Sequence, residues 1–342
     1  MRKRPSCGGA LGNSQPHIVI AGAGAIGCYV GGLLDHAGHH VSFLGRPRIL
    51  DEVREAGLRL SDYGRGEVWR APGRLDLRED AEVLATADIV LVCVKSSATA
   101  QMGEMIAAHA PDAAIVISLQ NGMGHADTLR AQLPGHDIRA GMVPFNVVPL
   151  GEGRFHRATS GDIVIAAGAG DVAGMISVEG LRVTQSDAIE AVQWGKFLIN
   201  LNNAPNALSG LTLQEQLLDR DWRRLMADQM TEALGVLRAH GCAIRSTTPV
   251  PAALVPHILR LPTPLFRRIA ARMLTIDPKA RTSMAYDLIG GRSTEVDALQ
   301  GAVIVMGQAK SIPTPLCSAI HAAVKRAEQS GLVPQTPDSF RR

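Results

Sequence analysis

Residues Ile18 to Gly27 read IVIAGAGAIG. Three β-branched residues, Ile18, Val19 and Ile20, give way to Gly22, and Gly24 and Gly27 follow at the G-x-G-x-x-G spacing. Ile26, Val30, Leu33 and Leu34 then recur at a helical period, and Val41 to Leu44 reads as a second strand. A strand before the glycines and a helix after them make this otherwise weak motif a dinucleotide-binding turn. The first glycine serves a tight turn, the second lets a pyrophosphate approach the backbone, and the third lets helix and strand pack closely. Free N–H groups at the helix start bind the phosphates. The expected cofactor contacts are therefore Gly22, Ala23, Gly24, Ala25, Ile26 and Gly27.

The end of the second strand refines the cofactor. An NAD site usually carries an acid there for the ribose 2′-hydroxyl. This chain has Leu44-Gly45-Arg46-Pro47-Arg48. A guanidinium forms forked bonds with a phosphate, which a carboxylate would repel. The expectation is NADP(H), with Arg46 on the 2′-phosphate and Arg48 in reserve; the alternative is a pair of solvated loop arginines.

Bulk composition narrows the class. The chain has 342 residues, 46% apolar and 20% charged, enough for two globular cores. A net charge of +3, scattered basic residues and few aromatics argue against a nucleic-acid surface. Five dispersed cysteines (Cys7, Cys28, Cys93, Cys242, Cys317) form no CxxC pair, and the eleven histidines show no H-E-x-x-H spacing. That pattern reads as reduced thiols in a cytoplasmic protein with no metal site. Apolar runs such as Ile89–Val94 and Ala113–Leu119 have strand length, short of the roughly 20 residues of a spanning helix, so no membrane role is expected. Residues 1–16 read as a disordered extension rather than a signal peptide.

Strand-like and helix-like segments alternate through the first half. Weak strands near Leu58–Leu60 and Glu67–Arg70 precede the buried runs Ile89–Val94, Ala114–Leu119 and Ile138–Val143, with helices at Thr99–His109 and Met123–Ala131 between them. Arg154 to Ala167 reads as an antiparallel pair closing the sheet edge. From Asp187 the pattern is helical: Ala188–Asn203, Gln214–Ala239, a proline-punctuated stretch from Pro249 to Met273, Ser283–Leu288, Thr294–Lys310 and Pro315–Gln329. The expectation is an α/β protein, a Rossmann-type doubly wound sheet followed by an all-α C-terminal domain. Residues 17–186 would bind the dinucleotide and 187–335 would form the helical substrate and catalytic domain. Ligands of such sheets bind beyond the carboxyl ends of the strands, where Gly22–Gly27, Arg46, Lys95 and Asn121 all fall.

Two constellations carry candidate chemistry. In WGKFLIN, Lys196 and Asn200 stand four apart on one helix face, with Asn203 near the same face. An ammonium on an otherwise apolar helix needs a partner, which a substrate oxyanion would supply, and it could protonate a ketone oxygen as hydride arrives. A lysine snorkelling at a helix rim is the alternative. Further on, Ser283 and Asp287 share a helix face, Gly290–Gly291 breaks that helix, and Ser293 or Thr294 caps the next. Glu295 then falls in a first turn, where it either serves the site or stabilises the helix end. Lys95 closes a buried strand at the ligand end, and Asn121 follows another, as a turn residue or an amide contact.

Taken together these residues resemble the ketopantoate reductase (2-dehydropantoate 2-reductase) family, from His17 to about Val333. The resemblance rests on the glycine turn, Arg46, Lys95 in VCVKSS, NGMG at Asn121 to Gly124, Lys196 and Asn200 in WGKFLIN, and the series Ser283, Asp287, Glu295. It implies reduction of ketopantoate to D-pantoate with NADPH, a step toward pantothenate and coenzyme A. By that resemblance Lys196 is the general acid, and Glu295 holds the substrate hydroxyl end and contacts the cofactor ribose. Asn121, Asn200 and Ser283 position substrate, Asn121 also touches cofactor, and Lys95 bridges cofactor and substrate. The partner implied is a small 2-keto acid, and both monomer and homodimer are allowed. The family often carries an asparagine where this chain has Ala204, so Asn202, Asn203 or Asn206 would substitute, or a different 2-keto acid would be taken. The competing readings are a β-hydroxyacid dehydrogenase of the 3-hydroxyisobutyrate or 6-phosphogluconate type, which also pairs a helix lysine with an asparagine four residues on, and a non-catalytic NADPH sensor.

Overall fold

The computed structural model describes residues 15–62, 66–247, 250–271 and 277–340. Most of the expected N-terminal extension, Cys7 and part of the proline-punctuated stretch lie outside these. Among the described residues twelve strands run through the first half: β1 (His17–Ala21), β2 (His40–Leu44), β3 (Leu58–Asp62), β4 (Val68–Arg70), β5 (Asp76–Arg78), β6 (Ile89–Val92), β7 (Ile115–Ser118), β8 (Asp137–Met142), β9 (Val147–Gly151), β10 (Arg154–Arg157), β11 (Ile163–Ala166) and β12 (Val183–Ser186). Eight form one twisted sheet in the order β12-β11-β8-β7-β6-β1-β2-β5. Every pairing in it is parallel except β11 on β8. The sheet is doubly wound. Helix Ala25–His36 packs on the face of Ile18 and Ile20, while Met102, Ile106 and Leu129, from helices Thr99–His109 and His125–Gln132, pack on the face of Val19 and Val90.

Small residues let the layers meet. A Cβ at Gly31 would stand 2.6 Å from atoms of Ile20 and Phe43, and one at Gly32 would stand 2.5 Å from Leu58. The helix Ala25–His36 is thus pressed between the main sheet and a second sheet of order β4-β3-β10-β9. This second sheet corrects the reading of Arg154 to Ala167. β10 and β11 do not pair with each other. β10 lies parallel to β3 and antiparallel to β9, whereas β11 joins the main sheet. The buried Arg157 pins the corner between them, its guanidinium donating to the carbonyls of Thr159, Gly161 and Gly180.

After β12 the chain is helical, with a separate core built on Trp194, Phe197, Leu198, Trp222, Leu225 and Phe266. Three expected long helices are broken, each for a local reason. Ala188–Asn203 is a helix only over Ile189–Asn200. Pro205 offers no N–H and its ring would collide with a carbonyl four residues back, so the chain restarts as Asn203–Ser209 with the proline in the first turn. Gln214–Ala239 divides at Asp219, whose carboxylate accepts from Asp221 N and Trp222 N and so starts the helix Arg220–Ala239. Thr294–Lys310 opens as a π-helical turn, Asp297–Gly301, before Ala302–Ala309. Among the described residues no helix is long and apolar enough to cross a membrane.

Candidate active site

The glycine turn is built as its spacing suggests. Gly22 has φ +113°, a backbone that only glycine adopts at ease, and an added Cβ would meet Val94 N at 2.8 Å. A Cβ on Gly27 would lie 2.1 Å from the Gly22 carbonyl oxygen, so this position must be bare for the helix to close on the turn. Gly24 is different: nothing lies within 4 Å of its would-be Cβ, and it is exposed at the head of a helix that no side chain caps. Unused N–H groups beside open space fit a diphosphate. Both Gly22 N and Ala23 N donate to the carbonyl of Leu44, which stitches the turn to the end of β2. Arg46 follows two residues later. It is exposed, as is Arg48, and neither enters an ion pair with the described residues. The residues present therefore fit a dinucleotide, with cationic groups available at the adenosine end.

Lys196 lies at the carboxyl ends of β7 and β8. Apolar Phe197, Leu198 and Leu201 bury the helix around it. Its Nζ donates to the Pro144 carbonyl at 2.9 Å and reaches a pocket shared with Asn121, Asn200, Gln120 and Gln193. Burial lowers the ammonium pKa from 10.5 to about 8. Gln193, one turn before the lysine, donates to the Gly141 carbonyl at 3.0 Å and fastens the helix to β8. Gln120 closes the pocket floor, taking a bond from Ser118 and giving bonds to Val94 O and Thr99 Oγ1.

A second cluster spans the two halves of the chain. The strand that Lys95 was expected to close ends at Val92, and Lys95 instead caps a 3₁₀ turn with its side chain 57% exposed. Its Nζ lies 3.3 Å from Asp287 Oδ1, which Arg292 Nε also approaches at 2.9 Å. Ser96 Oγ donates to Glu295 Oε1 at 3.4 Å. Burial pushes the Glu295 carboxyl up; Lys95 opposes that rise and Asp287 adds to it. The segment that follows Glu295 is tied to the lysine helix. Gln300, fully buried in the π turn, donates to the Leu201 carbonyl at the end of that helix (2.8 Å). A π turn at such a place supplies one register shift that aims a side chain inward.

Asn203 does not line the Lys196 pocket, and a new helix starts there. Its carbonyl instead accepts from Thr282 Oγ1 at 3.1 Å, beside Ser283, the first residue of the helix Ser283–Ile289. Of the three asparagines around Ala204, two are committed elsewhere. Asn202 exchanges paired amide bonds with Gln216, and Asn206 joins the Leu211 carbonyl to Thr282 N. Asn203 alone keeps a side-chain amide outside such bonds. The structure thus gathers Lys196, Asn200 and Asn121 in one pocket, whereas Lys95 and Glu295 belong to the separate cluster with Asp287 and Ser96, and Ser283 and Asn203 stand on the neighbouring helix pair. Pro144, Ser96, Gln193 and His125 were not foreseen. Gln193 could have been, since it precedes Lys196 by three residues on the same face.

Among the described residues no group of three or more His, Cys, Asp or Glu could hold a metal ion. Four cysteines, Cys28, Cys93, Cys242 and Cys317, are free thiols.

Family models describe both halves: ketopantoate reductase PanE/ApbA matches residues 18–170, and ketopantoate reductase PanE/ApbA C terminal matches residues 188–328. The chain is 29% identical to the 2-dehydropantoate 2-reductase of Halobacterium salinarum, over 92% of this chain and 99% of that one. It is 28% identical to the enzyme of that name from Mesorhizobium japonicum, over 90% and 97%. A crystal structure of a PanE/ApbA family ketopantoate reductase from Ralstonia eutropha JMP134 superposes with a TM-score of 0.77 at 30% identity, covering 92% of this chain and 99% of that one. The fold is also that of D-mandelate dehydrogenase in complex with NADH and anilino(oxo)acetate, with a TM-score of 0.75 at 23% identity over 92% and 99%. The chain belongs to the ketopantoate reductase family, a family of nicotinamide-dependent oxidoreductases.

Proposed function

We propose that this protein reduces 2-dehydropantoate, or a closely related 2-keto acid, to the 2-hydroxy acid with NADPH. One observation carries the reading: a half-buried ammonium, Lys196, shares a pocket with the amides of Asn121 and Asn200 where ligands of such sheets bind. NADPH, when bound, supplies the hydride. Lys196 Nζ stabilises the negative charge that grows on the ketone oxygen and then donates its proton there. Its lowered pKa makes that donation easier than from an ordinary lysine. Asn121 and Asn200 orient the keto acid, Ser283 and Asn203 border it, and Glu295 holds the hydroxyl end. Gly22 to Gly27 receive the diphosphate, Arg46 the 2′-phosphate, and Lys95, Asn121 and Glu295 the ribose and nicotinamide side. Residues 17–186 act as the cofactor domain and 187–335 as the substrate domain. The dispersed thiols suit a cytoplasmic enzyme.

Consumption of NADPH with ketopantoate, other branched 2-keto acids and 3-oxo acids tests this reading. The fastest turnover is expected with ketopantoate or a near analogue. Preference for a 3-oxo acid would move the protein to the β-hydroxyacid dehydrogenases, and tight NADPH binding with no turnover would make it a sensor.

A further inference from the structure

His125 follows the NGMG segment and opens the helix His125–Gln132. Its ring lies between the loops that leave β6 and β7. Nε2 is 2.8 Å from the Asn121 carbonyl oxygen and 3.4 Å from Ser96 Oγ, and Nδ1 is 3.3 Å from Thr99 Oγ1. A carbonyl oxygen only accepts, so the short contact assigns the hydrogen to Nε2. Gly122 makes room for the ring. It has φ +96°, and a Cβ there would stand 3.2 Å from Nε2. The imidazole does not line the Lys196 pocket; it lies behind the Asn121 loop, which does, and beside the loop that carries Lys95 and Ser96.

Those loops carry separate parts of the site. One bears Asn121. The other bears Lys95 and Ser96, and Ser96 reaches across to Glu295. Gln120 joins the two loops at Val94 and Thr99, and His125 adds a second link further out, where Asn121 and Ser96 stand. We propose that His125 is a positioning residue: its Nε2–H, given mainly to the Asn121 carbonyl and shared with the Ser96 hydroxyl oxygen, fixes the Asn121 turn and, through Ser96, keeps that turn in register with Glu295. Burial lowers the pKa of the ring, while the bond to Asn121 acts the other way. The kinetic consequence rests on the reductase reading above; the structural one does not.

The test compares His125→Ala, His125→Gln and His125→Asn. A glutamine amide nitrogen can take the position of Nε2, whereas an asparagine amide reaches only the position of Nδ1. The alanine variant is expected to raise KM for the keto acid by about tenfold, the scale of one buried hydrogen bond. Its kcat should change less, and its Kd for NADPH should stay within about twofold. Glutamine should restore most of the KM and asparagine should not. Hydrogen exchange across residues 119–126 should accelerate in the alanine and asparagine variants and recover in the glutamine variant. Equal rescue by asparagine and glutamine would overturn the proposal, as would an alanine variant with unchanged KM and exchange. If the wild-type protein reduces no keto acid, the reductase reading falls, and the exchange pattern alone then decides the role of His125.

Discussion

Replacing Lys196 by methionine removes the ammonium while keeping an unbranched side chain of similar length. The fall in pKa from 10.5 to about 8 corresponds to about 3 kcal/mol of disfavoured charge. At pH 7 such a group is still about nine-tenths protonated, so it can act as an acid and release its proton readily. Two consequences follow for kcat/KM, which reports the free enzyme. In the wild type it should fall above about pH 8, with a limit of tenfold per pH unit, as the acid is lost. In Lys196→Met it should be lower by about 100-fold or more at pH 7, roughly 3 kcal/mol of transition-state stabilisation, and the alkaline limb should vanish. Initial rates of NADPH consumption between pH 6 and 10 measure both, with fluorescence titration of NADPH as a control expected to show little change. A methionine variant within threefold of wild type, or one that keeps the alkaline limb, would refute the assignment.

Arg46→Ala should weaken NADPH binding by about 10- to 100-fold, the worth of a charge-assisted bond, and leave NADH binding unchanged; calorimetry with both cofactors checks this. Gly24→Ala and Gly27→Ala should part company. The first meets open space and should keep its Tm while binding NADPH about tenfold more weakly, because the methyl group occupies the diphosphate's approach. The second strikes the Gly22 carbonyl and should lose about 1–3 kcal/mol of stability in urea unfolding. Glu295→Gln removes a carboxylate whose burial raises its pKa above the ordinary 4.5. The folded chain holds that proton longer than the unfolded one, so stability falls as pH rises above 4.5. Glu295→Gln should therefore be more stable than wild type at pH 7, lose that advantage near pH 4, and turn over more slowly.

The parts of the candidate site legible in the sequence are those written in local spacing. The glycine turn, Arg46 two residues past a strand, and Lys196 with Asn200 on one helix face each depend on neighbours within a few residues. What was missed depends on partners far along the chain. Lys196 meets the carbonyl of Pro144, 52 residues away, and no periodicity announces a backbone acceptor. β10 and β11 both alternate as edge strands do, but their partners are chosen by β3, β9 and β8, so the local pattern suggested a hairpin that does not form. The break after Asn200 was readable in principle from Pro205. The continuous apolar pattern of Phe197, Leu198 and Leu201 masks it, so the sequence reads as one helix to Asn203. The π turn at Asp297–Gly301 had no such signal, because a single extra residue in a helix leaves its composition unchanged.

The bond from Lys196 to Pro144 bears on how the side chain could behave during turnover. An ammonium has three N–H bonds, and the carbonyl takes one of them. Two remain to face the pocket. Once one proton has left, the neutral amine still owns two hydrogens, enough to keep its hold on the carbonyl. Such a tether lets the nitrogen lose and regain its charge without swinging away, so recharging from solvent needs no search for the starting pose.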